Sequence, residues 1–162
     1  MIRLAKESEL CEIMNVFAKA KAYMRKSGNL NQWTGTYPDE SLLTDDIRKG
    51  NLYAMVDDET DKIYGVFALI SGDDPTYGYI DGAWHYNTPY ATLHRVASDG
   101  THRGVFKECT EFALERYCHL RVDTHEDNKT MQHVIEKCGF AYAGVIYLEN
   151  GAPRVAFDRL EN

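Results

Sequence analysis

The spacing of apolar residues changes period several times along this chain, and each change limits what the segment can become. Leu10, Ile13, Met14, Phe17 and Ala18 recur at helical spacing, which predicts a helix from about Glu7 to Met24. Ser27-Gly28 and the polar stretch Asn29 to Gln32 stop it, and Trp33 and Tyr37 follow in an irregular connection. A second helix is expected over Asp39 to Lys49, with Ser41 capping within it and Gly50 ending it. From Leu52 the period falls to two. Leu52, Ala54 and Val56 alternate with Tyr53 and Met55, Asp57 to Lys62 forms a charged turn, and Ile63 to Ser71 is apolar and rich in β-formers. Two antiparallel strands are the expectation. Thr76 to Pro89 carries Tyr77, Tyr79, Ile80, Trp84, His85 and Tyr86 with no clean period.

The second half alternates strands and helices. Tyr90 to Ala97 reads as a strand with Leu93, Arg95 and Ala97 on one face and His94, Val96 and Ser98 on the other. Ser98-Asp99-Gly100 turns the chain into a helix from about Gly104 to Tyr117, and Leu120 to Thr124 is the next strand. Asp127 or Asn128 caps a helix over Lys129 to Lys137 that exits at Gly139. Ala141 to Leu148 and Pro153 to Phe157 flank the hairpin signal Asn150-Gly151. With Ile2 to Leu4 as a first short strand, the order β-α-α-β-β-β-α-β-α-β-β implies an α/β fold: one mixed sheet with helices on both faces. A length of 162 residues suits a single domain.

Composition narrows the function classes. A formal charge of −7 and the lack of a basic stripe argue against a nucleic-acid partner. The opening Met1 to Lys6 has no apolar run behind a basic head, and the longest apolar stretch, Ile63 to Ile70, is far short of the roughly 18 residues of a spanning helix. The expectation is a cytoplasmic protein with no membrane partner. Cys11, Cys109, Cys118 and Cys138 have neither metal-binding nor dithiol spacing, so free thiols and no metal are expected.

The chemistry-bearing segment is the strand, turn and helix from Leu93 to Tyr117. A strand that ends in a glycine-containing turn and a helix start presents free amides and the positive end of a helix dipole, which together attract phosphate. Gly100, Arg103 and Gly104 bracket that turn, with Arg103 and Lys107 able to add charge. The same residues also suit a plain connecting turn. Neither a dinucleotide fingerprint nor a Walker A pattern is present.

Taken with Leu120 to Asn128 and Glu136-Lys137-Cys138-Gly139-Phe140, this half resembles the GNAT superfamily of acyl-CoA-dependent N-acetyltransferases, and the resemblance extends over essentially the whole chain. Leu93 to Ala97 is similar to the family's central strand, Thr101 to Phe106 to its pyrophosphate loop, and Asn128 with Gly139-Phe140 eleven residues on to its second cofactor-side motif. The resemblance implies acetyl-CoA as acyl donor, contacted by Val96, Ala97, Ser98, Thr101, Arg103, Gly104, Val105, Phe106 and Asn128. It implies direct transfer to an amine of a small molecule or peptide, and it is compatible with a homodimer. The loop departs from the family pattern: Thr101 stands where a basic or amide residue is usual and Phe106 where a small one is. Seven residues after Asn128, where many members carry a tyrosine acid, stands Ile135. These departures keep a catalytically inert CoA-binding sensor as the alternative.

An amine acceptor is mostly protonated at neutral pH, so a base is useful. His94 on the central strand and His125 and Asp123 at the end of the next are the catalytic candidates, against structural or solvated roles for each. Trp33, Tyr37, Tyr79 and Trp84 are the candidates for walls of an acceptor pocket, against ordinary packing.

Overall fold

A computed structural model describes residues 1–162. In chain order its elements are β1 (Ile2–Leu4), α1 (Leu10–Lys26), α2 (Glu40–Arg48), β2 (Leu52–Val56), β3 (Ile63–Ser71), β4 (Asp81–Gly82), β5 (Ala91–Ser98), α3 (Val105–Leu114), β6 (His119–Thr124), α4 (Lys129–Lys137), β7 (Ala141–Tyr147) and β8 (Pro153–Leu160). The fold is mixed α/β, with a central mixed sheet flanked by helices. The chain divides into two compact units, one of Met1–Leu69 with Arg95–Val105 and one of Ile70–His94 with Phe106–Asn162.

In the first unit, β2 pairs antiparallel with both β1 and β3. Phe17, Leu43, Leu52, Met55 and Phe67 are fully buried, each stabilising the fold by about 1.5–3 kcal/mol. The first helix departs from expectation at its start: Glu7–Glu9 forms a 3-10 turn, because Glu9 reaches back to the Lys6 amide (2.9 Å) and is held by Arg3 (2.6 Å). Asp39, not Ser41, caps α2, its Oδ1 accepting from the Leu42 amide at 2.8 Å.

The second unit holds the antiparallel run β6-β8-β7-β4. Leu93, Leu120, Ile135, Ile146 and Phe157 are buried at its centre. Strands β5 and β6 are parallel, but their register covers only Ala91–Leu120 and Thr92–Arg121, although the strands are eight and six residues long. The expected alternation of faces along β5 fails at Arg95, whose φ of 51° is left-handed. Helix α3 ends at Leu114, three residues before the expected Tyr117, as the Arg116 and Tyr117 amides both turn back to the Ala113 carbonyl.

Strand β4 was not legible in the aperiodic stretch Thr76 to Pro89. It consists of two residues, and its pairing with β7 requires glycine on both sides. Gly82 and Gly144 face each other with positive φ, and a Cβ on either would collide with the opposing backbone. Gly144→Ala is therefore expected to lower stability by about 1–3 kcal/mol, through overpacking and backbone strain together. Chemical denaturation checks this, and a loss no larger than that of an exposed loop glycine such as Gly151→Ala would contradict it.

Candidate functional site

His94 projects from the last β5 residue of the second unit, and its side chain keeps 23% of its surface open. Its Nε2 lies 2.8 Å from Asp74 Oδ2. Asp74 follows the Gly72-Asp73 break and caps the short 3-10 turn Pro75–Tyr77, its Oδ1 accepting from the Thr76 amide (2.8 Å) and hydroxyl (2.7 Å). Burial tends to raise the Asp74 pKa, but the hydrogen bonds from His94 and Thr76 outweigh it and bring it down to about 2. An ionised carboxylate only accepts, so His94 Nε2 is the donor in this pair.

Nδ1 faces a second carboxylate, 4.0 Å from Asp123 Oδ2 on β6. Asp123 is almost fully buried and is held from two other directions. The Tyr77 hydroxyl donates to Oδ2 at 2.5 Å, and the Arg154 guanidinium lies 3.2 Å from Oδ1. Burial, with the Asp123 charge and hydrogen bond behind it, pushes the Tyr77 hydroxyl well above the ordinary tyrosine value. Tyr77 therefore acts as a fixed donor to Asp123. This arrangement can take a proton at Nδ1 and stabilise the resulting imidazolium between two carboxylates.

Of the three catalytic candidates, two meet: His94 and Asp123 share this cluster. His125 stands apart in the turn before α4, where its Nδ1 accepts from the Asp127 amide at 3.0 Å and lies 3.5 Å from the Asp127 carboxylate. Asp74, Tyr77 and Arg154 were not singled out from the sequence. Only Asp74 had a local signal, an Asp-Pro-Thr capping pattern.

In the first unit, the turn after β5 is held by its own side chains. Ser98 Oγ accepts from the Gly100 amide (3.1 Å), and Asp99 Oδ1 accepts from the Thr101 amide (2.9 Å) and hydroxyl (2.6 Å). His102 stacks on Tyr64, with ring centroids 3.7 Å apart, and its Nε2 is 2.9 Å from Asp57 Oδ2. Asp57 is held down to about 2, first by the Thr60 amide and next by His102. Arg103 and Gly104 are exposed, Gly104 has φ of 74° with open space around it, and Val105 is buried. The amides of Arg103, Gly104, Val105 and Phe106 take no part in the backbone–backbone hydrogen bonds of the turns and caps. The Phe106 side chain, 4% exposed, is turned inward against Phe140 at 6.0 Å, so its bulk does not enter the turn. Within β5, Val96 and Ser98 are partly exposed and Ala97 is buried.

The remaining candidates are dispersed. Asn128 caps α4, its Oδ1 accepting from the Met131 amide at 3.1 Å, and Ile135 is a fully buried core residue. Trp33 is buried against Phe17. Tyr37 is exposed, its hydroxyl 3.5 Å from Arg95 Nη1. Trp84 packs on Tyr77, donates to the Tyr77 carbonyl (3.1 Å) and covers one face of the Arg121 guanidinium, whose other face lies on Tyr90. Tyr79 is 69% exposed and touches Tyr147. No group of three or more His, Cys, Asp or Glu side chains is arranged to hold a metal ion.

The fold is a mixed α/β sheet whose parallel pair β5–β6 separates after two registered residues, with a turn and a helix start following β5. A GNAT-family acetyltransferase from Streptococcus agalactiae 2603 superposes with a TM-score of 0.90 at 32% identity, covering 100% of this chain and 95% of that one. The chain belongs to the GNAT family of acetyltransferases. A GNAT-family acetyltransferase from Listeria monocytogenes 4b F2365 (TM-score 0.70, 15% identity, 99% of this chain and 94% of that one) shares the fold. So does a chain of the NatB acetyltransferase complex bound to CoA and MES (TM-score 0.66, 12% identity, 100% of this chain and 99% of that one). No protein-family model and no curated protein sequence matches the chain.

Asp74 and Asp57 are both held below the ordinary carboxylate value of 3.8. The stability each contributes is fully present above that value and is lost as the pH falls through about 2. Melting temperature is accordingly expected to fall between about pH 4 and about pH 2, and less steeply in Asp74→Asn and in Asp57→Asn. An unchanged slope in both variants would remove these carboxylates as the source of acid sensitivity.

Proposed function

We propose that the protein is an acetyl-CoA-dependent N-acetyltransferase in which His94 serves as general base toward the amine of a small molecule or peptide. The observation that carries the assignment is the placement of the His94 ring between two carboxylates. Asp74 engages Nε2, so Nδ1 is the nitrogen left for proton transfer, and Asp123 lies near enough to stabilise a proton there. Asp123 is oriented by the Tyr77 hydroxyl and the Arg154 guanidinium. Asp74 and Asp123 also favour a cationic acceptor over an anionic one.

Acetyl-CoA, as acyl donor, supplies an activated thioester carbonyl. The residues present suit it: the amides from Arg103 to Phe106, outside the backbone bonding of the turn, can receive pyrophosphate oxygens, Gly104 leaves room for close approach, and exposed Arg103 adds positive charge. The NatB acetyltransferase complex, one chain of which has the same fold, is bound to CoA, which supports this donor. The backbone near Val96 is the proposed donor to the thioester oxygen.

Turnover is tested by following thiol release from acetyl-CoA across a panel of polyamines, amino acids, aminoglycosides and peptides. His94→Ala is expected to lower kcat by about 100-fold and Asp74→Asn by about 10-fold, with the acetyl-CoA KM within about threefold of wild type. Wild-type kcat in His94→Ala would remove the base. Binding of acetyl-CoA without turnover on any acceptor would favour an inert CoA sensor instead. Gly104→Asp, which sets a carboxylate against the pyrophosphate, is expected to weaken CoA binding by about 10-fold or more in a calorimetric titration. Unchanged affinity would move the phosphate site elsewhere.

A further inference from the structure

Arg95 is one of two non-glycine residues with positive φ, and it stands inside strand β5, whereas the other, Asp61, lies in a turn. A left-handed residue bearing a side chain persists within a strand only where its surroundings hold it there. The side chain identifies the holder. Arg95 Nε donates to Asp46 Oδ2 and Nη2 to Asp46 Oδ1, each at 2.9 Å, a fork-to-fork pair. The two side chains are only 11% and 5% exposed, and Asp46 lies on α2, 49 residues earlier. The Tyr37 hydroxyl, from the connection between α1 and α2, approaches the outer guanidinium nitrogen at 3.5 Å.

We propose that Asp46 is a positioning residue for acetyl transfer: its two-point grip on Arg95 keeps the β5 backbone in its left-handed step and so sets the course of Arg95–Ser98. The inference rests on the assignment of β5 as the donor-binding strand given above. The bidentate geometry matters because two parallel hydrogen bonds orient the planar guanidinium as well as neutralising it. Grip and backbone are coupled. Returning residue 95 to an extended φ would redirect its Cβ toward the other face of the strand and carry the guanidinium away from Asp46.

Glycine adopts this φ without strain, so Arg95→Gly keeps the left-handed step with no help from Asp46. The test compares wild type, Asp46→Asn, Arg95→Gly and the double variant. In nuclear magnetic resonance spectra, a strong intraresidue contact between the amide proton and Hα at position 95 marks the left-handed step; it is expected in wild type and weakened in Asp46→Asn. In steady-state acetyl transfer, Asp46→Asn is expected to lose about 10-fold or more in kcat, with the acetyl-CoA KM within about threefold. The double variant should match Arg95→Gly within about threefold, because Asp46 has nothing left to hold. A double variant impaired relative to Arg95→Gly by the same factor as Asp46→Asn relative to wild type would overturn the proposal. So would wild-type kcat and an unchanged contact in Asp46→Asn. If Asp46→Asn fails to fold, the comparison of Arg95→Gly with the double variant still decides. A wild-type protein that transfers acetyl to no amine would overturn the functional assignment, while the resonance measurement would still show separately whether Asp46 holds the backbone.

Discussion

Strand β5 is the constraint on which the rest of the structure depends. It begins as an ordinary parallel partner of β6, loses that register after Thr92, and three residues later takes a left-handed step at Arg95. Such a step costs on the order of 1–3 kcal/mol for a residue with a Cβ. The ion pair that accompanies it is not an obvious source of net stability, because burying two charges costs several kcal/mol per ion that their attraction only partly returns. What a buried bidentate pair supplies reliably is orientation. Strain and pair together make sense if the strand must depart from its neighbour at a fixed place, and they make little sense as cement for a regular sheet.

The polar cluster at His94 follows the same logic on a smaller scale. The donors to each of its carboxylates come from different parts of the chain, and at Asp74 they outweigh the burial that favours the neutral acid. For Asp74 these are His94 and Thr76; for Asp123 they are Tyr77 and Arg154. The result is asymmetric around the imidazole. One nitrogen is bonded at 2.8 Å to a carboxylate and the other faces a carboxylate at 4.0 Å, too far for a hydrogen bond but close enough for strong attraction once a proton is present. An imidazole that served only to fill a surface would not need both.

Much of the fold was legible because period and punctuation are local. Helix α4 runs from Lys129 to Lys137 with the Gly139 exit that the sequence implies and with Asn128, one of the two caps it offers, in place, and β2 and β3 keep their expected bounds. The failures have a common cause in long-range contact. Strand β4 exists because two glycines 62 residues apart let backbones approach, and neither has a side chain to advertise it. Arg95 was assigned to one face by alternation, yet an aspartate 49 residues away governs its backbone. At the site, His94 and Asp123 were legible as titratable residues near strand ends. Tyr77 lies 46 residues from Asp123 in an aperiodic segment, where only the folded chain brings the two together.

The glycine-poor turn before α3 raises the remaining physical question, how a backbone cradle is kept open with only Gly100 and Gly104 to relax it. Side chains do part of what glycine does elsewhere in such turns. Asp99 takes both the amide and the hydroxyl of Thr101, so the residue that departs from the family pattern is tied into the loop. His102 is clamped between the Tyr64 ring and the Asp57 carboxylate, and Phe106 is drawn into the core by Phe140. With these residues fixed, the amides from Arg103 to Phe106 stay outside the backbone hydrogen bonding of the turn, as the proposed donor site requires. A loop ordered in advance loses less entropy on binding an anion than a flexible glycine-rich one. The departures at Thr101 and Phe106 therefore change how the cradle is held without closing it.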